Sequence, residues 1–401
     1  MKINGYKREC DGTYGIRNHV LILPTSICAS DVARIVSEKV DGTITFHNHL
    51  GCSQTKIDTA YTISTMAGMA ANPNVYGVVA ISLGCENCQM DRVVTEIKSR
   101  TKKPLETFII QDVPGVEKTI ELATKAAIKM VEEAKAMSKT EFEISNLILG
   151  TECGGSDPTS GLVSNVLVGH VSDRMVSLGG TSILSETTEF IGAQHVLKKR
   201  ARNTSVATHI DEIIERYEES QYSVGDNIRM RNPSPGNQRG GITTLEEKSL
   251  GCIKKSGSSM IQDVFDYAQP ISCKGLVIMD TPGNDSISMM GMAAGGCSLI
   301  LFTTGQGTPL GNPLVPVIKI TGNQQTAEKM KESIDFDCSE GLNSNNMDEL
   351  ENALFSLVLD VCNGRKTKSE IYGICECSIV RVSKYVKDGV MIWSLSSGHI
   401  K

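Results

Sequence analysis

Three short glycine-containing segments carry a cysteine each: His47-Asn-His-Leu-Gly-Cys52, Leu83-Gly-Cys-Glu86 and Thr151-Glu-Cys-Gly-Gly-Ser-Asp157. Thiolates are soft ligands. Three of them meeting with one coordination position open would suit iron, as a single Fe2+ ion or an iron–sulfur cluster, whose open position could grip a hydroxyl and a carboxylate. Cys52, Cys85 and Cys153 are therefore candidate metal ligands, with Glu86 and Glu186 as oxygen donors. Simple packing is the alternative for each thiol, since cysteine is small and often buried. His49 and His195 are candidate bases for proton abstraction. Glu186, Glu189 and His195 lie at offsets of three and six, so two of them can share a helix face as ligands or as an acid/base pair. Equally, the acids would favour a helix N-terminus on dipole grounds alone. Cys85-x-x-Cys88 has no second pair nearby to complete a zinc knuckle, which leaves one functional thiol beside a packing one, or a thiol oxidoreductase as a competing class.

Further along, Thr244-Leu-Glu-Glu247 fits a capping box, and the preceding Gly236-Asn-Gln-Arg-Gly-Gly241 makes that helix start a plausible anion cradle. Arg239 and Lys248 there would suit a carboxylate, or be surface charges. Gly305-x-Gly307-x-x-x-Gly311 has the wrong spacing for a dinucleotide loop and runs into Asn312-Pro313 rather than a helix.

The elements that must position these residues follow one rhythm from Asn18 to about Arg200: a short apolar run, a polar turn, then a stretch with helical periodicity. Strands are expected at His19–Pro24, 43–47, 76–81, 107–111, 147–150 and 181–185, and helices at 30–39, 58–70, 90–98, 116–137, 160–178 and 190–202. The strands lack polar alternation, as strands covered on both faces of a parallel sheet do. This predicts an α/β fold: a parallel-sheet βαβ domain over residues 1–225, then a second, smaller α/β domain over 226–401 with strands near 275–280, 298–302 and 315–320 and a helix at 347–361. The boundary is set by Asn232-Pro-Ser-Pro-Gly-Asn237. Ligands of open parallel sheets bind at the carboxyl ends of strands. The cysteine, histidine and glutamate turns all fall at that end, which predicts one shared site.

With 401 residues, 40% hydrophobic and 21% charged, the chain can bury sizeable cores and lies far from disordered compositions. A net charge of −6 with no basic block argues against nucleic acid. Thirteen cysteines are too few for a disulfide scaffold, and no apolar leader follows Met1–Lys7, so the expected location is the reducing cytoplasm. The stretch from Ser286 to Ile318 has no charge, but its glycines and prolines suit a buried core better than a membrane span.

Taken together, the motifs resemble the altronate/galactarate dehydratase family. The residues carrying the likeness run through Gly5-Tyr-Lys-Arg-Glu-Cys-Asp-Gly-Thr-Tyr-Gly-Ile-Arg-Asn18, Leu83–Glu86, Cys153-Gly-Gly-Ser-Asp157, Ser185-Glu-Thr-Thr-Glu189, Asn232–Asn237, Gly240–Gly251, Tyr267-Ala-Gln-Pro270, Met279-Asp-Thr-Pro-Gly283 and Phe302-Thr-Thr-Gly305. The resemblance implies a hydro-lyase of carbohydrate-acid metabolism that depends on Fe2+: β-elimination of water from altronate, galactarate or a similar acid to a 2-keto-3-deoxy acid. It makes Arg17, Asn18, Ser156, Asp157, Arg239 and Asp280 expected substrate contacts, and Lys248 an expected catalytic residue beside His49 and His195. It further implies a large subunit working with a separate small one, in an oligomer. The split sulfolactate sulfo-lyases, which expel sulfite in place of hydroxide, resemble it too, and a non-catalytic anion-binding subunit is the rival class.

Overall fold

The computed structural model describes residues 1–344, 346–382, 386–387 and 390–391. Its strands, in chain order, are β1 (Lys2–Lys7), β2 (Tyr14–Gly15), β3 (His19–Pro24), β4 (Thr43–Ile44), β5 (Val75–Ser82), β6 (Leu105–Ile109) and β7 (Thr140–Glu143), followed by β8 (Ile148–Cys153), β9 (Thr181–Leu184), β10 (Ile261–Phe265), β11 (Gly275–Met279), β12 (Leu299–Thr303), β13 (Val317–Thr321) and β14 (Phe336–Asp337). They form two parallel sheets, ordered β4-β3-β5-β6 and β10-β11-β9-β8-β12-β13-β14, and a small antiparallel sheet β2-β1-β7, and two further short strands, β15 (Val386–Lys387) and β16 (Val390–Met391), pair antiparallel with each other. The expected α/β class with parallel sheets is what the chain adopts.

Strand β3 shows why both faces had to be apolar. Val20 and Ile22 pack with Ala29, Val36 and Ala127, from the helices Ile27–Glu38 and Val116–Ala136. Leu21 and Leu23 face the other way, toward Met66, Met69 and Ile97 of the helices Lys56–Ala71 and Met90–Arg100. Side chains alternate along a strand, so a uniformly apolar run means that two layers cover it.

The single N-terminal sheet expected from the rhythm is in fact two. After the Val116–Ala136 helix the chain runs back as β7 against β1, and β8 then opens the second sheet, pairing with β9 and with the distant β12, where Leu301 faces Thr151. Local periodicity carries no information on which distant strand will pair. The seven-stranded sheet therefore takes strands from both sides of residue 225, so the expected boundary there cuts through one sheet and is corrected. The helix expected at 190–202 shrinks to Gln194–Lys198, preceded by left-handed backbone at Glu186 (φ 70°) and Gly192 (φ 85°).

One core joins the two sheets. The helices Lys56–Ala71 and Asp285–Ala294 touch so closely that a Cβ on Gly68 would lie 2.3 Å from the Ala294 carbonyl oxygen. Just beyond, Asn72 Nδ2 donates to the Ala293 and Cys297 carbonyls (2.7 and 2.9 Å). The uncharged stretch from Ser286 lies in this helix, β12 and the start of β13. No described helix is long and apolar enough to cross a membrane.

Candidate active site

The neighbouring strands β8 and β9 end in Glu152-Cys153 and run into Ser185-Glu186, and the helix Asp285–Ala294 starts beside them with Asp285 in its first turn. Oxygens of Glu152, Glu186 and Asp285 lie within 4.8 Å of one another. Glu152 is fully buried. Its Oε2 accepts from the Ser185 and Ser288 hydroxyls (3.0 and 2.6 Å), and its Oε1 has no hydrogen-bond partner. Glu186 Oε2 accepts from the Cys153 N–H at 3.0 Å, an approach made possible by the left-handed turn at Glu186. Such backbone strain at a non-glycine residue persists where the surroundings enforce it.

A second group lies alongside. Cys153, Glu189 and Cys252 also converge within 4.8 Å, and the Lys255 ammonium, with no exposure at all, donates to Cys153 Sγ (2.8 Å), Glu189 Oε2 (3.0 Å) and Glu186 Oε2 (3.2 Å). Lys248 Nζ sits 3.5 Å from Glu189 Oε1. Burial and the neighbouring Glu186 and Asp285 push the Glu152 carboxyl well above the usual range. Burial and Glu189 likewise raise Glu186 to about 8 and Asp285 to about 6. Glu189 goes the other way: burial would raise it, but Lys255 and Lys248 hold it ionised. For Lys248 burial favours the neutral amine, and Glu189 overrides it.

Charge decides what could complete this site. Four carboxylates, Glu152, Glu186, Glu189 and Asp285, face two ammonium groups, Lys248 and Lys255. Burial and their acidic neighbours favour the protonated forms of Glu152 and Glu186, and one divalent cation could take the place of those two protons. The orphaned Glu152 Oε1 gives that cation a ready ligand, and an all-oxygen carboxylate set suits hard divalent cations such as Mg2+, Mn2+ or Ca2+ and also admits Fe2+. The sulfur-containing group fits a cation less well, because the Lys255 ammonium already donates to two of its three members, Cys153 and Glu189. Beside it, Ser156, Asp157, Lys248, Cys252 and Lys254 line a cleft of about 290 Å³.

Among the sequence candidates, Glu186, Cys153, Ser156 and Lys248 come together here. Cys52 and Cys85 do not join them: both are exposed, on turns of the four-stranded sheet, and no group of described ligands within 4.8 Å includes either. The division into two sheets is the reason. No three thiols converge among the described residues, so nothing assembles a three-cysteine cluster. Glu86 is buried but spent, accepting from Thr25, Leu83 N–H and Gly84 N–H. Cys88, the other half of the CxxC, is buried and its thiol is pushed up to about 12 by burial.

Arg17 is committed elsewhere: its guanidinium donates to both oxygens of Glu370 and to the carbonyls of Ile16, Val361 and Arg365. This leaves no donor for a substrate carboxylate, which corrects the expected contact. Asn18 likewise spends its amide on Arg8 and the Ala134 carbonyl. Asp157 accepts from Thr159, Ser160 and Asn323, and shapes the cleft wall. Asp280 pairs with Arg216 and Thr187 in a different cavity, beside Tyr61 and Tyr267. Arg239 is exposed at the end of the helix Pro235–Arg239. His49 and His195 are exposed and do not line the cleft; burial nudges His49 downward.

Sequence reasoning missed Glu152, Asp285, Cys252 and Lys255. For the last two a signal existed. Lys248 and Cys252 are four apart on the helix Leu245–Cys252, and Lys255 follows three residues later through a 3-10 turn, so all three share a face. Thr244 does cap this helix, accepting from the Glu247 N–H at 3.1 Å, which fixes the face's direction.

The altronate dehydratase of Escherichia coli (strain K12) is 33% identical over 93% of this chain and 77% of its own length. The (2R)-sulfolactate sulfo-lyase subunit beta of Chromohalobacter salexigens is 34% identical over 94% of this chain and 97% of its own. The galactarate dehydratase (L-threo-forming) of Escherichia coli is 34% identical over 78% of this chain and 61% of its own. A family model described as D-galactarate dehydratase/altronate hydrolase, second domain, matches residues 5–135, and one described as D-galactarate/altronate dehydratase, C-terminal, matches 144–385, so the two meet where the first parallel sheet gives way to the second. On these matches, the chain belongs to the D-galactarate/altronate dehydratase family.

Proposed function

We propose that this chain is the catalytic large subunit of a cytoplasmic, Fe2+-dependent hydro-lyase that removes water from a sugar acid such as altronate or galactarate, leaving a 2-keto-3-deoxy acid. The observation that carries the reading is the buried cluster of four carboxyl and two ammonium groups beside a lysine-lined cleft, in which one divalent cation could replace the protons of Glu152 and Glu186.

Glu152, Glu186 and Asp285 would hold the iron. When bound, the metal supplies positive charge for the enediolate that develops as the weakly acidic α-proton leaves. Of the protein's own groups, the ionised Glu189 carboxylate would take that proton, and the two ammonium groups complete the site. Lys248 lines the cleft as an ammonium and either grips the substrate carboxylate or gives its proton to the departing hydroxyl. Lys255 makes no contact with solvent and keeps Cys153, Glu186 and Glu189 in register.

A second reading has a specific observation behind it: the sulfo-lyase subunit is matched along almost its full length, and its name makes it one subunit of an assembly. On that reading the same proton abstraction expels sulfite, and a smaller partner chain belongs to the assembly in either case. The test is an anaerobic assay with Fe2+ on altronate, galactarate and (2R)-sulfolactate, following 2-keto acid and sulfite. Keto-acid formation from a sugar acid, lost on chelation and restored by Fe2+, supports the dehydratase. Sulfite release alone moves the assignment to the sulfo-lyase, and turnover unaffected by chelation refutes the metal.

A further inference from the structure

Three carboxylates bind a cation well only when each is held at the right rotation, and Glu152 is held by a line of hydroxyls that no substrate can reach. The Glu186 N–H donates to Thr281 Oγ1 at 2.8 Å; Thr281 Oγ1 and Ser288 Oγ are 2.9 Å apart; and Ser288 Oγ donates to Glu152 Oε2 at 2.6 Å. Each hydroxyl has a single proton. Ser288 spends its own on the carboxylate, so the Thr281 proton must point at Ser288, and the line runs one way from the Glu186 backbone to Glu152. Thr281 is 1% exposed and Ser288 fully buried. A second hydroxyl, on Ser185, is 3.0 Å from the same oxygen.

We propose that Thr281 and Ser288 are positioning residues that hold Glu152 Oε2 in this relay, so that Glu152 binds the divalent cation through Oε1 alone. The inference rests on the metal reading above and adds what sets the affinity. The sequence supports it locally. Thr281 stands two residues past the end of β11, and Ser288 stands three residues after Asp285 on the same helix face, so one helical turn supplies both a ligand and the group that orients another ligand. Without the relay Glu152 can rotate, present both oxygens, or turn from the site. Partners of metal ligands in this position are worth about 10–100-fold in metal affinity.

The experiment titrates the metal-free full chain with Co2+, a redox-stable stand-in for Fe2+, by equilibrium dialysis and by the visible absorption of the bound ion. Ser288→Ala and the isosteric Thr281→Val should each weaken Co2+ binding by about 10–100-fold and alter the absorption, with circular dichroism unchanged, whereas Thr281→Ser, which keeps the hydroxyl, should stay within about threefold of the parent. If Ser288→Ala and Thr281→Val bind like the parent while Glu152→Gln does not, the relay is overturned and the metal site stands. If Thr281→Ser falls as far as Thr281→Val, side-chain shape rather than the hydroxyl matters, and the relay is again overturned. If Glu152→Gln also binds like the parent, the metal reading itself fails, and the relay with it.

Discussion

Replacing Arg17 separates a structural from a substrate-binding role. Arg17→Met keeps most of the side chain's apolar stem and deletes the guanidinium. Three carbonyls, of Ile16, Val361 and Arg365, lose their donor, and Glu370 keeps only the N–H and hydroxyl of Thr367. The pair is largely buried, at 9% and 17% side-chain exposure, so solvent compensates little. Breaking such a pair by removing one partner costs about 3–5 kcal/mol, because the loss is mostly the uncompensated charge and the orphaned acceptors. At about 2 °C per kcal/mol for a large chain, the melting temperature should fall by roughly 6–10 °C. Scanning calorimetry checks the temperature, and kinetics on the folded fraction should show an unchanged KM. A KM raised by an order of magnitude at unchanged melting temperature would refute the structural role and return Arg17 to the substrate.

Lys255→Met should destabilise by about 3–5 kcal/mol in urea unfolding and abolish turnover, since Glu186 and Glu189 lose their shared cation; an active, stable variant contradicts the site as described. Gly68→Ala forces a methyl against the Ala294 carbonyl and should cost about 1–3 kcal/mol, measurable as a lowered denaturation midpoint; a neutral result means the two helices are not in contact. His19 is only partly buried, yet burial and then Arg17 lower its pKa to about 4. Between pH 4 and 6.5 the unfolded chain therefore binds more protons, and stability contributed by neutral His19 is present above about pH 6.5 and lost as pH falls to about 4. The loss is about 2 kcal/mol after allowing for partial exposure. His19→Gln should flatten that part of the stability–pH curve, and an identical slope would show that His19 does not titrate there.

What could be read from the sequence was local. The apolar run His19–Pro24 and the helix from Met90 follow from periodicity, and the Thr244 cap from its spacing, and all three stand where expected. Pairing was not readable, because β8 meets β12 across nearly 150 residues of intervening chain and nothing within either strand names the other. The candidate site inherits that division. Cys153 ends β8 and Glu186 follows the adjacent β9, so these two can be grouped, but Cys52 and Cys85 share their rim only if the chain forms a single sheet. Lys255 was passed over for another reason: a lysine in a mixed polar stretch ordinarily points to solvent, and only the packed structure shows it enclosed with three acceptors.

The helix that begins with Asp285 ends at Ala294, where its backbone rests on Gly68. About 13 Å of rigid rod thus separates a carboxylate of the site from the joint with the other sheet. Such a rod acts as a lever with its fulcrum outside the chemistry. Anything that tilts the four-stranded half, a bound subunit or a bulky change at Gly68, moves an oxygen at the far tip, so the catalytic pocket can be tuned by a hand that never enters it.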